Sequence, residues 1–176
     1  PLQAAIAVSV PFDLADCARR LNRGFSRLYQ WYLLRHLRAG FRAKFSRIPC
    51  PLRVDVERLR SFREYDDQVT APLHGFSGAD EYYARSSCGQ YLRDIATPTL
   101  ILHARDDPFM YPEDVPGEEA LADAVTLELS AHGGHAGFVA GRSGLPHYWL
   151  EERISRWLRQ RLPGPDQEAG RARLPP

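Results

Sequence analysis

A chain of 176 residues with 44% hydrophobic and 26% charged side chains has the make-up of one ordinary globular domain, able to bury a sizeable core and too short for two full domains. No apolar run approaches the ~20 residues of a membrane-spanning helix, and the composition excludes collagen, coiled coil and wholesale disorder. The formal charge is +1, yet Arg19 to Arg63 holds 13 basic residues against only Asp55 and Glu57, a local +11 that leaves the remainder at −10.

The chain opens on AAIAVSV, residues 4 to 10, an apolar run of small and β-branched residues stopped by Pro11. That pattern predicts a strand buried on both faces, as in a parallel sheet. Asp13 is placed to cap the next helix. From Leu14 to Phe45 apolar residues recur at helical spacing, with Gly24 dividing the run into two helices and Gly40 loosening the end of the second. Pro49 and Pro51 close the region, and a short helix is predicted from Val54 to Ser61. Residues 63 to 80, broken by Pro72, Gly75 and Gly78, read as a long connecting loop with one short helix; Ala79 to Ser87 reads as another helix. TLILHA, residues 99 to 104, is a strong buried-strand signal. Gly117 to Asp123 is helical in pattern, VTLEL from Val125 to Leu129 is a third strand, and Gly133-Gly134 turns the chain. Tyr148 to Leu162 is an amphipathic helix, and the tail over 163–176 is predicted to be disordered.

Three short buried strands separated by helices predict an α/β domain with a mostly parallel sheet. In such sheets functional groups gather on the loops beyond the carboxyl ends of the strands. Two such loops carry chemistry here. HARDDPFM, residues 103 to 110, places two adjacent carboxylates after a strand, and HGGHAGF, residues 132 to 138, places two histidines after the next. Taken singly, each is an ordinary turn. Taken together, a strand-end Asp followed by a strand-end His supplies two of the three members of a Ser-His-Asp triad, in which the acid fixes the imidazole tautomer and the imidazole moves the proton.

Cys17, Cys50 and Cys88 are widely spaced and odd in number, a pattern of free thiols in a reducing, cytoplasmic compartment. No CxxC or HxxxH spacing supports a structural zinc. The Arg-rich segment reads first as a solvated helical face and second as a surface for anionic partners such as phospholipid headgroups. No DNA- or RNA-binding signature accompanies it, so no nucleic-acid partner is expected.

PFDL (11 to 14), LNRGFSRLYQWYLLRHLR (21 to 38), LRSFREYDDQVTAPLHGFSGADEYYARSS (59 to 87), TPTLILHARDDPFM (97 to 110) and HGGHAGFV (132 to 139) together resemble the α/β-hydrolase fold, in the YheT-like branch that includes the related eukaryotic ABHD lipases and esterases. The resemblance runs nearly to Leu162. It implies that residues 1–162 are the C-terminal part of a single α/β-hydrolase domain, an incomplete fold comprising the last strands of the sheet, flanking helices and a helical lid-like insertion at about residues 13–62. It places the catalytic acid on Asp107, the Asp directly before Pro, with Asp106 as the alternative, and the base on His135, with His132 a neighbour. It also implies a nucleophile elbow and oxyanion loop upstream of Pro1, so that the missing N-terminal part of the same domain is a required partner and this chain is inactive alone.

Gly75-Phe76-Ser77-Gly78-Ala79 is a near match to an elbow, and Ser77, Asp107 and His135 stand in the right chain order. But Pro72 and two carboxylates precede it where an elbow needs a buried strand. Cys88 likewise has no elbow context. The resemblance implies a serine hydrolase of carboxylic esters, with lipid esters included, and no metal or organic cofactor. A catalytically inactive α/β fragment, or a basic module at the periphery of an anionic membrane, is the alternative.

Overall fold

The apolar runs that predict strands do become strands, and they lie side by side in one parallel sheet. A computed structural model describes residues 2–142 and 145–161, without the side chains of 142, 145 and 146. The chain divides into two units: a sheet unit (Pro1–Val10, Tyr91–Asp107, Gly117–Pro176) and a helical unit (Pro11–Gln90, Pro108–Pro116).

In the sheet unit, β1 (Ala5–Val8), β2 (Thr99–Ala104) and β3 (Val125–Ser130) run parallel in the order β1-β2-β3. Leu100 of β2 pairs in register with Ile6 on one side and Thr126 on the other. All six residues of β2 are buried, as a central strand of a sheet covered on both faces requires. Side chains alternate along the strand, so Leu100 and Leu102 share one face. That face packs against Trp157, with Trp149, Leu150, Ile154 and Leu158 around it, all from α6 (Trp149–Arg159). Burying such a cluster is what holds a parallel sheet and its helix together, at roughly 1.5–3 kcal/mol per large apolar side chain.

Two expectations differ here. The predicted helix over 117–123 is only a 3-10 turn, Glu118–Ala120, because none of the three residues is buried and no packing offsets the cost of nucleating a longer helix. After the histidine loop the chain forms an antiparallel hairpin, β4 (Val139–Arg142) with β5 (Leu145–Tyr148), where no strand is predicted. Gly141 and Pro146 interrupt any alternation in these short strands, so the sequence carries no period-2 signal. Leu162 and the predicted tail over 163–176 lie outside the described residues.

In the helical unit, α1 (Leu14–Leu21) is capped by Asp13, whose carboxylate accepts the Asp16 N–H at 2.9 Å. The break at Gly24 falls where expected, and α2 (Ser26–Phe45) follows. It continues straight through Gly40, whose cost of about 1 kcal/mol relative to Ala is outweighed by the packing of Leu34 and Phe41. The helix predicted from Val54 to Ser61 contracts to one 3-10 turn, Val56–Arg58, with Val56 and Leu59 as buried anchors.

The predicted loop over 63–80 is instead largely helical: α3 (Phe62–Tyr65), a π turn (Asp66–Thr70) and α4 (Ala71–Leu73). Ser61 starts the run by accepting the Glu64 N–H. The wide turn, in which the Ala71 N–H bonds to the Asp66 carbonyl, makes room for Pro72, whose ring would crowd an ordinary helical turn. Leu34, Val56, Leu59, Tyr65 and Val69 form one core, and Ala18, Ala79 and Tyr83 a second that includes α5 (Ala79–Ser86). No helix among the described residues is long and apolar enough to cross a membrane.

Candidate active site

The carboxyl ends of β2 and β3 bring Asp106, Asp107, His132 and His135 together within the sheet unit. Beyond β2, the Arg105 N–H still bonds to the Ser130 carbonyl at 2.9 Å, and the Asp107 N–H turns back to the Ala104 carbonyl at 3.3 Å. This tight turn aims two adjacent carboxylates in different directions. Asp107 is drawn in: its side chain is 1% exposed, and its Oδ2 lies 3.0 Å from His135 Nδ1. Asp106 stays outside and receives backbone: its Oδ1 accepts the Gly133 N–H at 2.9 Å and the Gly134 N–H at 2.8 Å, and its Oδ2 lies 3.3 Å from His132 Nδ1.

The histidine loop fits because two of its residues are glycines. A Cβ at Gly133 would stand 2.8 Å from the Phe138 ring and 2.9 Å from the Ala104 Cβ. Gly134 has φ +57°, a left-handed conformation that side chains disfavour. The Phe138 N–H closes the loop on the Gly133 carbonyl at 2.9 Å. His135 is thereby presented from a tight turn with its ring 38% exposed.

The electrostatics separate the two carboxylates further. The amide of Gly134, with help from His132 and Gly133 and against some burial, holds Asp106 below the usual carboxylate range. His103, on β2 and 1% exposed, is shifted below the ordinary imidazole range by burial. Asp107 opposes that shift and His135 adds to it, so His103 lies within electrostatic reach of both. A buried carboxylate bonded to Nδ1 of a half-exposed imidazole sets the tautomer in which Nε2 is the basic nitrogen, the arrangement of a general base. Among the described residues no three His, Cys, Asp or Glu side chains are arranged so that they could hold a metal ion together.

Ser77 belongs to the helical unit, in the turn that leads into α5. Its N–H and hydroxyl both bond to Glu81 Oε2 at 2.8 Å and, together with Arg85 on the other oxygen, pull the pKa of that carboxylate down to about 2. This is a helix-entry contact, and the element that leads into it is α4, not a strand. Cys88, in the same unit, donates through Sγ to the Pro11 carbonyl at 3.1 Å, and burial pushes its thiol up, away from the reactive thiolate.

Sequence reasoning missed two residues at this site. Ser9 reads as part of a strand, but β1 ends at Val8 and Ser9 turns left-handed at φ +51°, with its hydroxyl 3.1 Å from the Ala136 N–H. His103 reads as strand filling. A Ser-Val-Pro end to a strand gives no signal of a left-handed turn, and an ionisable residue in an otherwise uncharged strand is the one hint that His103 offered.

The curated relatives of the chain point to one family. The chain is 44% identical over 161 residues to YheT of Escherichia coli strain K12, a candidate esterase by name; the match takes in 90% of this chain and 47% of that protein. It is 32% identical over 167 residues to a monoacylglycerol lipase of Saccharomyces cerevisiae, covering 90% of this chain and 36% of the relative. It is 33% identical over 144 residues to phospholipase ABHD3 of Mus musculus, covering 80% and 35%. The chain thus spans between about a third and about half of the length of these curated relatives. No family model matches it, and no solved structure does. Its parallel three-stranded sheet with flanking helices is consistent with such a fold, and on these relatives the chain belongs to the α/β-hydrolase superfamily, in its YheT-like branch.

Proposed function

We propose that this chain supplies the acid and the base of a serine hydrolase acting on carboxylic esters, lipid esters among them. Asp107 orients His135 and stabilises its imidazolium. His135 takes the proton of a serine hydroxyl as that oxygen attacks the ester carbonyl, then returns it to the leaving alcohol; water repeats the cycle on the acyl-enzyme. The observation that carries this reading is the 3.0 Å bond between a buried Asp and a half-exposed His at the ends of adjacent parallel strands. The serine is assigned upstream of Pro1: the relatives are two to three times longer, and Ser77 lies in a helix entry. Residues 13–62 are assigned as the lid-like insertion of the domain, and this chain on its own then lacks the nucleophile.

The test is made on the natural gene product. A fluorophosphonate probe should label one serine, with digestion placing the label upstream of Pro1. His135→Ala should abolish both labelling and ester turnover. A label on Ser77, or turnover that survives His135→Ala, would refute the assignment.

A second reading concerns the helical unit. Phe25 (72%), Leu28, Trp31 and Tyr32 are exposed on or beside α2, amid Arg23, Arg27 and Arg35. Aromatic and aliphatic side chains framed by arginines suit the interface of an anionic bilayer. Vesicles of phosphatidylcholine with phosphatidylglycerol should capture the protein at low salt and release it at high salt, with or without His135→Ala. Equal capture by purely zwitterionic vesicles would sink this reading.

A further inference from the structure

Resting on the hydrolase reading above, we propose that Asp106 and Ser9 are positioning residues that grip the backbone on both sides of His135 and so fix where its imidazole stands. The two grips come from different strands. Before His135, Asp106 at the end of β2 accepts the amides of Gly133 and Gly134 on one oxygen, at 2.9 and 2.8 Å. After His135, Ser9 at the end of β1 accepts the amide of Ala136 at 3.1 Å. Ser9 is itself fixed: it is 5% exposed, and its N–H bonds to the Leu102 carbonyl of β2 at 2.9 Å.

The backbone conformations point the same way. Three non-glycine residues among those described have positive φ: Ser9 at 51°, Ala136 at 60° and Phe138 at 43°. All three lie at this loop or at its anchor, and the Ser9–Ala136 hydrogen bond joins two of them. Left-handed L-residues persist only where the surroundings over-determine them, and they gather at sites that need a fixed geometry. A loop closing on itself could be held by its own turn bond, Phe138 N–H to Gly133 carbonyl. The added grips from two strands of the sheet refer His135 to the same β2 that carries Asp107. The DD pair thus divides its labour: one carboxylate holds the ring, its neighbour holds the main chain that bears the ring.

The test is steady-state kinetics on the natural gene product with a dispersed ester, comparing Ser9→Gly, Asp106→Ala and Asp106→Asn with His135→Ala as the reference. Ser9→Gly removes the hydroxyl while suiting the left-handed backbone, so it does not strain the fold. It should lower kcat about 10- to 100-fold with little change in KM, the scale of a misplaced catalytic group. Asp106→Ala should do the same, and Asp106→Asn should recover most of the loss, because its amide oxygen still accepts the two N–H groups. A merely structural role would lower melting temperature without this split between kcat and KM or this rescue. Near-wild-type kcat in Ser9→Gly and Asp106→Ala, with His135→Ala inactive, overturns the positioning roles alone. Activity in His135→Ala overturns the hydrolase reading and this inference with it. If Asp106→Ala fails to fold, Ser9→Gly still decides.

Discussion

The sheet unit and the helical unit solve opposite problems with the same amino acids. In the sheet unit a tryptophan, Trp157, is 2% exposed beneath Leu100 and Leu102, and an aspartate, Asp107, is 4% exposed against an imidazole. In the helical unit a tryptophan, Trp31, is 57% exposed on α2, and the arginines that crowd its sequence mostly remain outside. The difference teaches where function is to be sought in each: chemistry needs polar groups fixed in a dry frame, whereas a surface contact needs apolar and charged groups left in water.

The largest expected effect breaks the comparison at the proposed acid. Asp107→Asn keeps the shape of the side chain but permits the wrong imidazole tautomer, and in serine proteases that exchange costs ~10⁴ in kcat. Ester turnover by the natural gene product should fall on that scale. Arg27→Gln and Arg35→Gln in the helical unit should leave turnover of a dispersed ester near wild type. Loss on Asp106→Asn with none on Asp107→Asn would reverse the roles of the two carboxylates.

A matched pair of truncations sharpens the comparison further. Trp157→Ala removes a buried anchor and should destabilise by about 3–5 kcal/mol, the usual cost of emptying a large aromatic site. Trp31→Ala changes an exposed side chain and should shift stability by no more than about 0.5 kcal/mol. Its effect should be seen in weaker capture by anionic vesicles. Urea denaturation of both variants checks the first contrast, and vesicle sedimentation the second. Equal destabilisation would mean that Trp31 is not a surface residue in the natural gene product.

The same contrast governs what could be read from the residues. The three parallel strands were legible because burial on both faces leaves continuous apolar runs, and the two loops beyond β2 and β3 were legible because Asp-Asp-Pro and His-Gly-Gly-His mark strand ends chemically. The helical stretch from Phe62 to Leu73 was hidden because Pro72 signals a break, and only the wide turn before it absorbs the ring. The β4–β5 hairpin was hidden by Gly141 and Pro146. Ser9 was hidden most deeply: its role depends on a backbone turn and on a partner, Ala136, 127 residues away, which no local pattern encodes.

The smallest expected effect comes from two carboxylates whose surroundings push them in opposite directions. Asp66, in the helical unit, is raised above the usual range by burial, although the hydroxyls of Tyr83 and Thr70 partly offset this by donating to it at 2.7 and 2.8 Å. Asp106, in the sheet unit, is lowered, chiefly by the Gly134 amide. The folded state therefore holds the Asp66 proton more tightly than the unfolded state does. Asp66 favours folding below its unfolded pKa and loses that contribution as pH rises through the raised folded value. Asp106 does the reverse: its contribution is present above its unfolded pKa and is lost as pH falls through the lowered folded value. Urea midpoints from acid to neutral pH test this through differences from wild type. The stability of Asp66→Asn relative to wild type should rise with pH, because the substitution removes a group that becomes costly when ionised. That of Asp106→Asn should fall with pH, because it removes a carboxylate that its amide donors favour. Parallel slopes for the two variants would mean that the two sites do not differ in the way the buried and amide-bound geometries require.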